Sequence, residues 1–225
     1  MTLRSVFLAA AILGVALCNP VDARVFQRGA RPELLTNGFG FVEGPSADAR
    51  GNVFFSDIPG NRVWVWTTDG ELKKFIDYAK GANGTYHDKI GRLVVCEGGA
   101  RRIARYTMQG EGETIVFKYK DKLFNSPNDL WIDEKGGIWF TDPRYGPTDD
   151  VQMDGYYVFY IPPYTKEAKL VIDDLEKPNG IIGSHDGTKL YVADWDGGTT
   201  YVYDIVGEGV VSNRRVFAPQ RSDGM

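Results

Sequence analysis

Five polar residues with side-chain oxygens recur along the chain, and each is followed by glycine or aspartate. The pairs are Glu43-Gly44, Asn83-Gly84, Asn128-Asp129, Asn179-Gly180 and Asp223-Gly224. We call the first residue of each pair a ring residue. Carboxylate and amide oxygens without histidine or cysteine favour a hard divalent cation, Ca²⁺ above Mg²⁺ or Mn²⁺, with Zn²⁺ less favoured. The chemistry that these residues offer is therefore that of a bound cation.

Such a cation can polarise a carbonyl oxygen and stabilise the oxyanion that forms during acyl transfer. A carboxylate oxygen that is not needed as a ligand can then activate water, and we assign this catalytic role to Asp223. A serine nucleophile is not indicated, because the chain has no Gly-x-Ser-x-Gly motif and only two histidines, His87 and His185. The residues thus favour acyl transfer to water, assisted by a bound cation.

The elements that must position these residues form a repeat. Four segments share a turn, an apolar strand and a closing acid, and they span residues 51–57, 91–97, 137–142 and 188–194. Their strands start 40, 45 and 52 residues apart, room for four short strands per unit, which is typical of β-propeller blades. A sandwich has no reason to repeat one four-strand unit in series. The first four ring residues lie ten or eleven residues before these strands, at the opening of the innermost strand, so we expect them on one ring around the propeller axis.

The acids that close the repeated strands have a structural interpretation. They are Asp57, Glu97, Asp142 and Asp194. Because they recur at the same strand end, we expect them to cap turns through backbone N–H groups. Asn-Gly is also a common turn dipeptide, and Asn83 is the ring residue most easily explained that way. We predict Asn83, Asn128, His87 and Tyr145 as substrate-binding residues, although a loop histidine can be merely solvated and a loop tyrosine can pack on a neighbouring blade.

Composition and charge limit the class of protein. The chain has 43% hydrophobic residues, 13% aromatics and 27 glycines, which suits a globular all-β domain with many tight turns. Its formal charge of −4 does not indicate a nucleic-acid partner. Arg4, the apolar run 6–18 and the small residue Ala23 are typical of a secretory signal peptide, which we assign to residues 1–23. We therefore expect export to the periplasm or outside the cell, with no membrane anchor after cleavage and one remaining cysteine, Cys96.

Several motifs in fixed order resemble the superfamily of gluconolactonases, regucalcin and diisopropyl fluorophosphatase, most closely the bacterial gluconolactonases. These motifs are Phe41-Val42-Glu43-Gly44-Pro45, Asn125-Ser126-Pro127-Asn128-Asp129-Leu130, Trp139-Phe140-Thr141-Asp142-Pro143, Lys177-Pro178-Asn179-Gly180 and Ser222-Asp223-Gly224-Met225. The resemblance implies a six-bladed propeller. It also implies Glu43, Asn179 and Asp223 as metal ligands, Asn128 near the metal or the substrate, and Asp223 as the catalytic carboxylate.

Two departures from the family affect the expected substrate and length. Gly98 replaces a histidine of many bacterial relatives and Ser126 replaces an arginine of the regucalcin branch, both at the substrate pocket. Six blades of about 45 residues need roughly 270 residues, more than the 225 present. We expect residues 24–225 to form an incomplete propeller of about four blades plus the start of a fifth.

Three functions stay open at this point. The first is a Ca²⁺-dependent lactonase acting on a sugar lactone such as glucono-1,5-lactone. The second is a phosphotriesterase or arylesterase that uses the same cation, and the third is a non-catalytic propeller that binds a partner and holds a structural calcium. Loss of hydrolysis on chelation with the fold retained would favour the enzymes over the binding module.

Overall fold

The computed structural model of the chain describes residues 28–225. The described residues fall into two units, residues 28–37 and Gly38–Met225. The described part of the first unit begins with a turn and continues as irregular chain. The predicted signal peptide, residues 1–23, lies outside the described residues. All described strands belong to the second unit.

The second unit contains four antiparallel sheets of four strands, and within each sheet every strand pairs with the next along the chain. The first sheet has β1 (Val42–Ala47), β2 (Val53–Asp57), β3 (Arg62–Trp66) and β4 (Leu72–Asp77), and the second has β5 (Ala82–His87), β6 (Leu93–Glu97), β7 (Arg102–Tyr106) and β8 (Gly112–Val116). A hairpin of β9 (Lys118–Tyr119) and β10 (Lys122–Leu123) leads to the third sheet, β11 (Leu130–Ile132), β12 (Ile138–Asp142), β13 (Tyr157–Ile161) and β14 (Lys169–Ile172). The fourth sheet has β15 (Pro178–Gly183), β16 (Lys189–Asp194), β17 (Thr199–Gly207) and β18 (Val210–Ala218). A 3₁₀ turn at Gly98–Ala100 follows β6.

The first strand of each sheet lies closest to a common axis. Strand β1 contacts β5, β5 contacts β11, and β11 contacts β15, so these inner strands follow one another around the axis. Each sheet is therefore a blade, and the prediction of an all-β propeller from the repeat is confirmed. The four described sheets do not close into a complete ring.

The hydrophobic core lies between the blades rather than on the axis. One cluster joins the first and second sheets around Val63 and Leu93, and another joins the second and third around Ile103 and Phe140. A third cluster joins the third and fourth sheets. Inner sheet faces are thus covered by neighbouring sheets, and strand β12 is buried along its whole length. Because apolar packing is completed between blades, the axis is left for polar side chains.

The glycine that follows a ring residue is required by close packing of adjacent inner strands. Gly44 has a φ of +57°, and a Cβ atom on it would lie 2.3 Å from the backbone oxygen of Asn83. The same close approach occurs at Gly84 against the backbone oxygen of Asn128 and at Gly180 against that of Asp223. A larger residue would therefore push adjacent blades apart. The repeated polar-Gly pair has a packing cause as well as any chemical one.

Three of the acids that close the repeated strands cap backbone N–H groups, as the sequence predicts. The carboxylate of Asp142 accepts the N–H groups of Asn125 and Ser126, each at 2.8 Å. Asp57 accepts those of Gly40 and Phe41, and Asp194 accepts those of Glu176 and Lys177. These bonds tie the segment that precedes each inner strand to the end of the second strand.

Glu97 occupies the same place in the second blade but has different partners. It is buried, and it accepts hydrogen bonds from Arg102 Nε at 2.5 Å and from the hydroxyl of Tyr106. The expectation that it caps backbone N–H groups was wrong, because the longer glutamate side chain reaches the next strand of its own sheet, β7. Burial raises the pKa of Tyr106, and its bond to Glu97 adds to the rise.

Two further findings concern the cysteine and the helices of the described residues. Cys96 is a buried free thiol on β6. In residues 28–225, no helix has the length and apolar character needed to cross a membrane.

Candidate active site

Four of the ring residues, Glu43, Asn83, Asn128 and Asn179, lie at or just before the start of the inner strands, where neighbouring blades meet, and Asp223 lies in the irregular segment after β18. Side-chain hydroxyl groups hold the backbone there. Ser56 Oγ donates to the backbone carbonyl oxygen of Asn83, and Thr141 Oγ1 donates to the backbone carbonyl oxygen of Asn179, both at 2.6 Å. Thr85 Oγ1 donates to the oxygen of Gly44, also at 2.6 Å. Each bond crosses from one blade to the next, so the ring positions are fixed relative to one another before any ligand binds.

Three carboxylates lie together at this end of the axis. Glu43, Asp129 and Asp223 line one cavity of about 450 Å³, whose apolar wall includes Leu130 and Ile182. Burial raises the pKa of Glu43 to about 7, and the charges of Asp223 and Asp129 add to this rise. The site therefore concentrates negative charge, which a divalent cation would neutralise.

Asp129 is held by backbone N–H groups as well as facing the other acids. Burial raises its pKa to about 7, while hydrogen bonds from the backbone N–H groups of Ile181, Leu130 and Met225 oppose the rise. The Ile181 bond is 3.0 Å long and links the third blade to the fourth. Asp129 thus holds two blades together and adds charge to the site.

Asn179 connects two other predicted site residues. Its Nδ2 donates to Asp223 Oδ1 at 2.8 Å and to the hydroxyl of Tyr145 at 2.7 Å. Burial raises the pKa of Tyr145, with the charges of Asp223, Asp196 and Glu43 acting in the same direction and the Asn179 bond against it. Tyr145 therefore stays a neutral phenol beside the carboxylates.

The amide oxygens of Asn83, Asn128 and Asn179 are buried and accept no hydrogen bond from any described residue. A few other buried polar atoms also lack a hydrogen-bond partner among the described residues, among them the donor Trp64 Nε1 and the acceptor Asn125 Oδ1, but they lie off the ring. An unpaired buried oxygen is costly unless water or a cation satisfies it. Within residues 28–225, His, Cys, Asp and Glu side chains alone form no metal-binding group. The ring instead combines carboxylate and amide oxygens, and this donor set fits a hard cation.

His87 does not lie with the other predicted site residues. It ends strand β5, whereas Asn83 lies at the start of that strand, and it borders a different cavity of about 400 Å³ together with His185. Its Nδ1 lies 2.9 Å from Ser46 Oγ, and its ring packs against Phe54. We expected His87 at the same site because it follows Asn83 by only four residues. A strand rises by about 3.3 Å per residue, however, so four residues separate the two side chains along β5. The structure places it at the opposite end of the inner strands.

Two residues of the site were not selected from the sequence. Asp129 stands where the other repeats have glycine, and that exception to the repeat was a signal for it. Lys177 lies beside Tyr145, with Nζ 5.2 Å from the ring centroid of the tyrosine and 2.6 Å from Asp196 Oδ2. No repeat signal marked this lysine, because its contacts depend on the long loop between β12 and β13.

Fold and ring together define a propeller with an oxygen-lined axial site, and comparison with known proteins gives the family. Residues 41–225 match the model of the SMP-30/Gluconolactonase/LRE-like region, so the chain belongs to that family. A gluconolactonase of Zymomonas mobilis is 30% identical over 213 residues, which is 85% of this chain and 60% of that protein. A lactonase drp35 of Staphylococcus aureus is 28% identical over 159 residues, covering 68% of this chain and 48% of that protein.

Solved structures agree with this family. The structure of a gluconolactonase from Xanthomonas campestris superposes with a TM-score of 0.79 at 33% identity, covering 84% of this chain and 67% of that one. A calcium-binding regucalcin from Agrobacterium tumefaciens shares the fold, with a TM-score of 0.64 at 14% identity, covering 81% of this chain and 61% of that one. The chain spans only 60% of the Zymomonas relative and 48% of the Staphylococcus one.

Proposed function

We propose that this chain carries the catalytic ring of a cation-dependent lactonase that opens a small sugar lactone by attack of water. The proposal rests on one observation above all. Asn179 bonds both Asp223 and Tyr145, and its own amide oxygen, like those of Asn83 and Asn128, is buried and accepts no hydrogen bond from the described residues. The lactonase names of the relatives support the same reaction class.

In this proposal Glu43, Asn179 and Asp223 hold the cation, most favourably Ca²⁺, and Asn128 and Asn83 border it. When bound, the cation would polarise the lactone carbonyl and stabilise the developing oxyanion. The oxygen-only donor set supports a hard ion over Zn²⁺.

Asp223 is the proposed base. One of its oxygens accepts the N–H of Asn179, which fixes the orientation of the carboxylate and leaves the other oxygen to take a proton from the attacking water.

Tyr145 positions the substrate. Its hydroxyl accepts the N–H of Asn179, so its own proton remains available for a substrate oxygen. The cavity of about 450 Å³ that Glu43 and Asp223 line lies within the range of roughly 300–1,000 Å³ usual for small-molecule sites. Tyr145 is not one of its lining residues and is connected to Asp223 through Asn179.

The test is hydrolysis of glucono-1,5-lactone by the wild-type chain and by Asp223→Asn, each with Ca²⁺ and with EDTA, followed by pH-stat above the spontaneous rate. We expect Asp223→Asn to lower kcat by about 10²–10⁴-fold, the usual contribution of a positioned base. EDTA should abolish turnover while circular dichroism still shows a folded chain. The matched control is Asp154→Asn, an exposed acid bonded to Tyr157, which should hydrolyse like wild type.

Two outcomes would contradict the proposal. An Asp223→Asn variant that is as active as wild type would show that Asp223 is not the base. Unfolding on chelation, with no turnover under any condition, would indicate a structural cation in a binding module instead.

We also propose that the chain is exported through the signal peptide of residues 1–23, supported by Arg4 and the apolar run that follows it. Cell fractionation of the full chain tests this, since a protein that keeps residues 1–23 and stays in the cytoplasm would contradict it.

A further inference from the structure

A groove of about 540 Å³ lies between the second and third blades, at the opposite end of the inner strands from the ring. Three turns form it: the turn after β5 at residues 88–92, the turn after β11 at residues 135–136, and the loop after β13 at residues 162–166. Strand β5 starts at the ring and ends at this groove. We call it the interblade groove, and a ligand there would not occupy the lactone site.

The floor of the interblade groove is apolar. It consists of Val94, Ile115, Ile132, Ile138 and Ile161, all buried core residues of the two blades. Two large apolar side chains stand at its edges, where Ile90 is 75% exposed and Tyr164 is fully exposed. Exposed apolar residues beside an apolar cleft mark a binding surface more often than single scattered ones do.

The rim of the groove is basic, although the whole chain has a formal charge of −4. The charged residues that line it are Lys89, Arg92, Arg105, Lys135 and Lys166, against a single acid, Asp88. A cleft lined by one sign of charge raises the local concentration of oppositely charged ligands.

Ion pairs neutralise part of this rim. Arg92 pairs with Asp88 at 2.7 Å, and Lys135 pairs with Glu208 at 3.4 Å. Arg105 pairs with Glu113, which is not among the residues that line the groove, although the charges of Lys166 and Arg92 also help to lower its pKa. No carboxylate of residues 28–225 lies within ion-pair distance of Lys89 or Lys166. These two lysines flank the apolar floor from opposite blades, so the groove keeps a net positive charge.

We propose that the interblade groove binds a single-chain anionic amphiphile, an alkyl carboxylate whose hydrocarbon chain lies on the isoleucine floor and whose carboxylate pairs with Lys89 and Lys166. Apolar burial supplies the affinity, and the basic rim selects the sign of the head group. The same rim repels a cationic amphiphile of equal chain length, which gives the specificity a direct test. The proposal does not depend on lactone hydrolysis.

The experiment is isothermal titration of the full chain with decanoate and with decyltrimethylammonium, both below their micelle concentrations. We expect saturable 1:1 binding of decanoate and at least tenfold weaker binding of the cation. Equal binding of both probes would overturn the proposal, because it would mean that only the apolar surface is recognised. Absence of decanoate binding would overturn it as well.

Variants locate the site. Lys89→Glu combined with Lys166→Glu should weaken decanoate binding at least tenfold. Ile90→Ser should weaken it severalfold, and because Ile90 is an exposed side chain the change should leave the fold intact. The matched control is Lys118→Glu combined with Lys122→Glu, which changes the net charge equally on the β9–β10 hairpin and should leave binding unchanged. Equal losses in the groove and control variants would show a general charge effect and would overturn the assignment to this groove.

Discussion

The molecule holds two sets of acids, and they differ in what surrounds the carboxylate. At the closing strand ends, Asp142 accepts two backbone N–H groups, so its charge is satisfied within the blade. At the ring, Glu43 faces Asp223 and Asp129 instead. Acids occur at both repeated positions, so position in the blade does not by itself separate acids that cap backbone groups from acids that face one another. The partners of the carboxylate do.

The pKa values express the same difference. Burial raises the pKa of Asp142 to about 7, but two N–H bonds and the guanidinium groups of Arg101 and Arg144 oppose the rise. Burial also raises the pKa of Glu43 to about 7, and there both neighbouring charges add to the rise. A carboxylate whose neighbours all disfavour its charge lowers its free energy by binding a cation, whereas a capped carboxylate gains little.

The largest expected effect on stability belongs to the capping set. Asp142→Ala leaves the N–H groups of Asn125 and Ser126 buried without acceptors, so we expect a loss of about 2–4 kcal/mol in the free energy of unfolding. Urea denaturation measures it. Asp223→Asn is the comparison, and it should change stability by less than about 1 kcal/mol. Equal destabilisation by both variants would erase the distinction between the two sets.

A smaller effect, on activity, is expected at Lys177. Its ammonium group lies 5.2 Å from the Tyr145 ring centroid and is held by Asp196 at 2.6 Å. If the lysine acts by orienting Tyr145, Lys177→Met should lower kcat/KM by about tenfold, or ~1.4 kcal/mol. In a Tyr145→Phe background the same change should have little further effect, because coupled residues are not additive. Additive losses would show that the lysine acts independently of the tyrosine.

Most of the fold could be predicted from the repeat. Apolar strands of regular spacing and closing acids such as Asp142 are local features, so the blades and the register of Glu43, Asn83 and Asn179 could be read from the chain. Contacts made by irregular loops could not. Lys177 reaches Tyr145 only because a loop without a repeat returns over the next blade, and His87 was misplaced because sequence distance along a strand was taken for nearness.

Relief of repulsion at the ring should be visible as a small gain in stability. Glu43→Gln removes one of three neighbouring charges, so in EDTA we expect the free energy of unfolding to rise by up to about 1 kcal/mol, limited because Glu43 is only half-buried. With Ca²⁺ the order should reverse, since a cation that binds the folded state stabilises wild type more. Thermal unfolding in both buffers measures this. Glu113→Gln, an exposed partner of Arg105, serves as the control and should respond equally in both buffers. A variant less stable than wild type in EDTA would mean that Glu43 is satisfied without a cation.

The smallest expected effect is at His87, at the far end of the inner strands. Burial lowers its pKa below the ordinary value of 6.5, and the charges of Asp48 and Asp88 only partly oppose this. The unfolded chain therefore binds more protons just below pH 6.5, so stability should fall as the pH drops through that value and level off once the folded-state histidine is also protonated. The loss in the free energy of unfolding should stay below about 1 kcal/mol because the imidazole of His87 is partly exposed. Urea denaturation at pH 8 and pH 5.5 should show a smaller drop for His87→Gln than for wild type, with lactone hydrolysis at pH 8 unchanged. A large loss of hydrolysis in this variant would place the histidine at the ring after all.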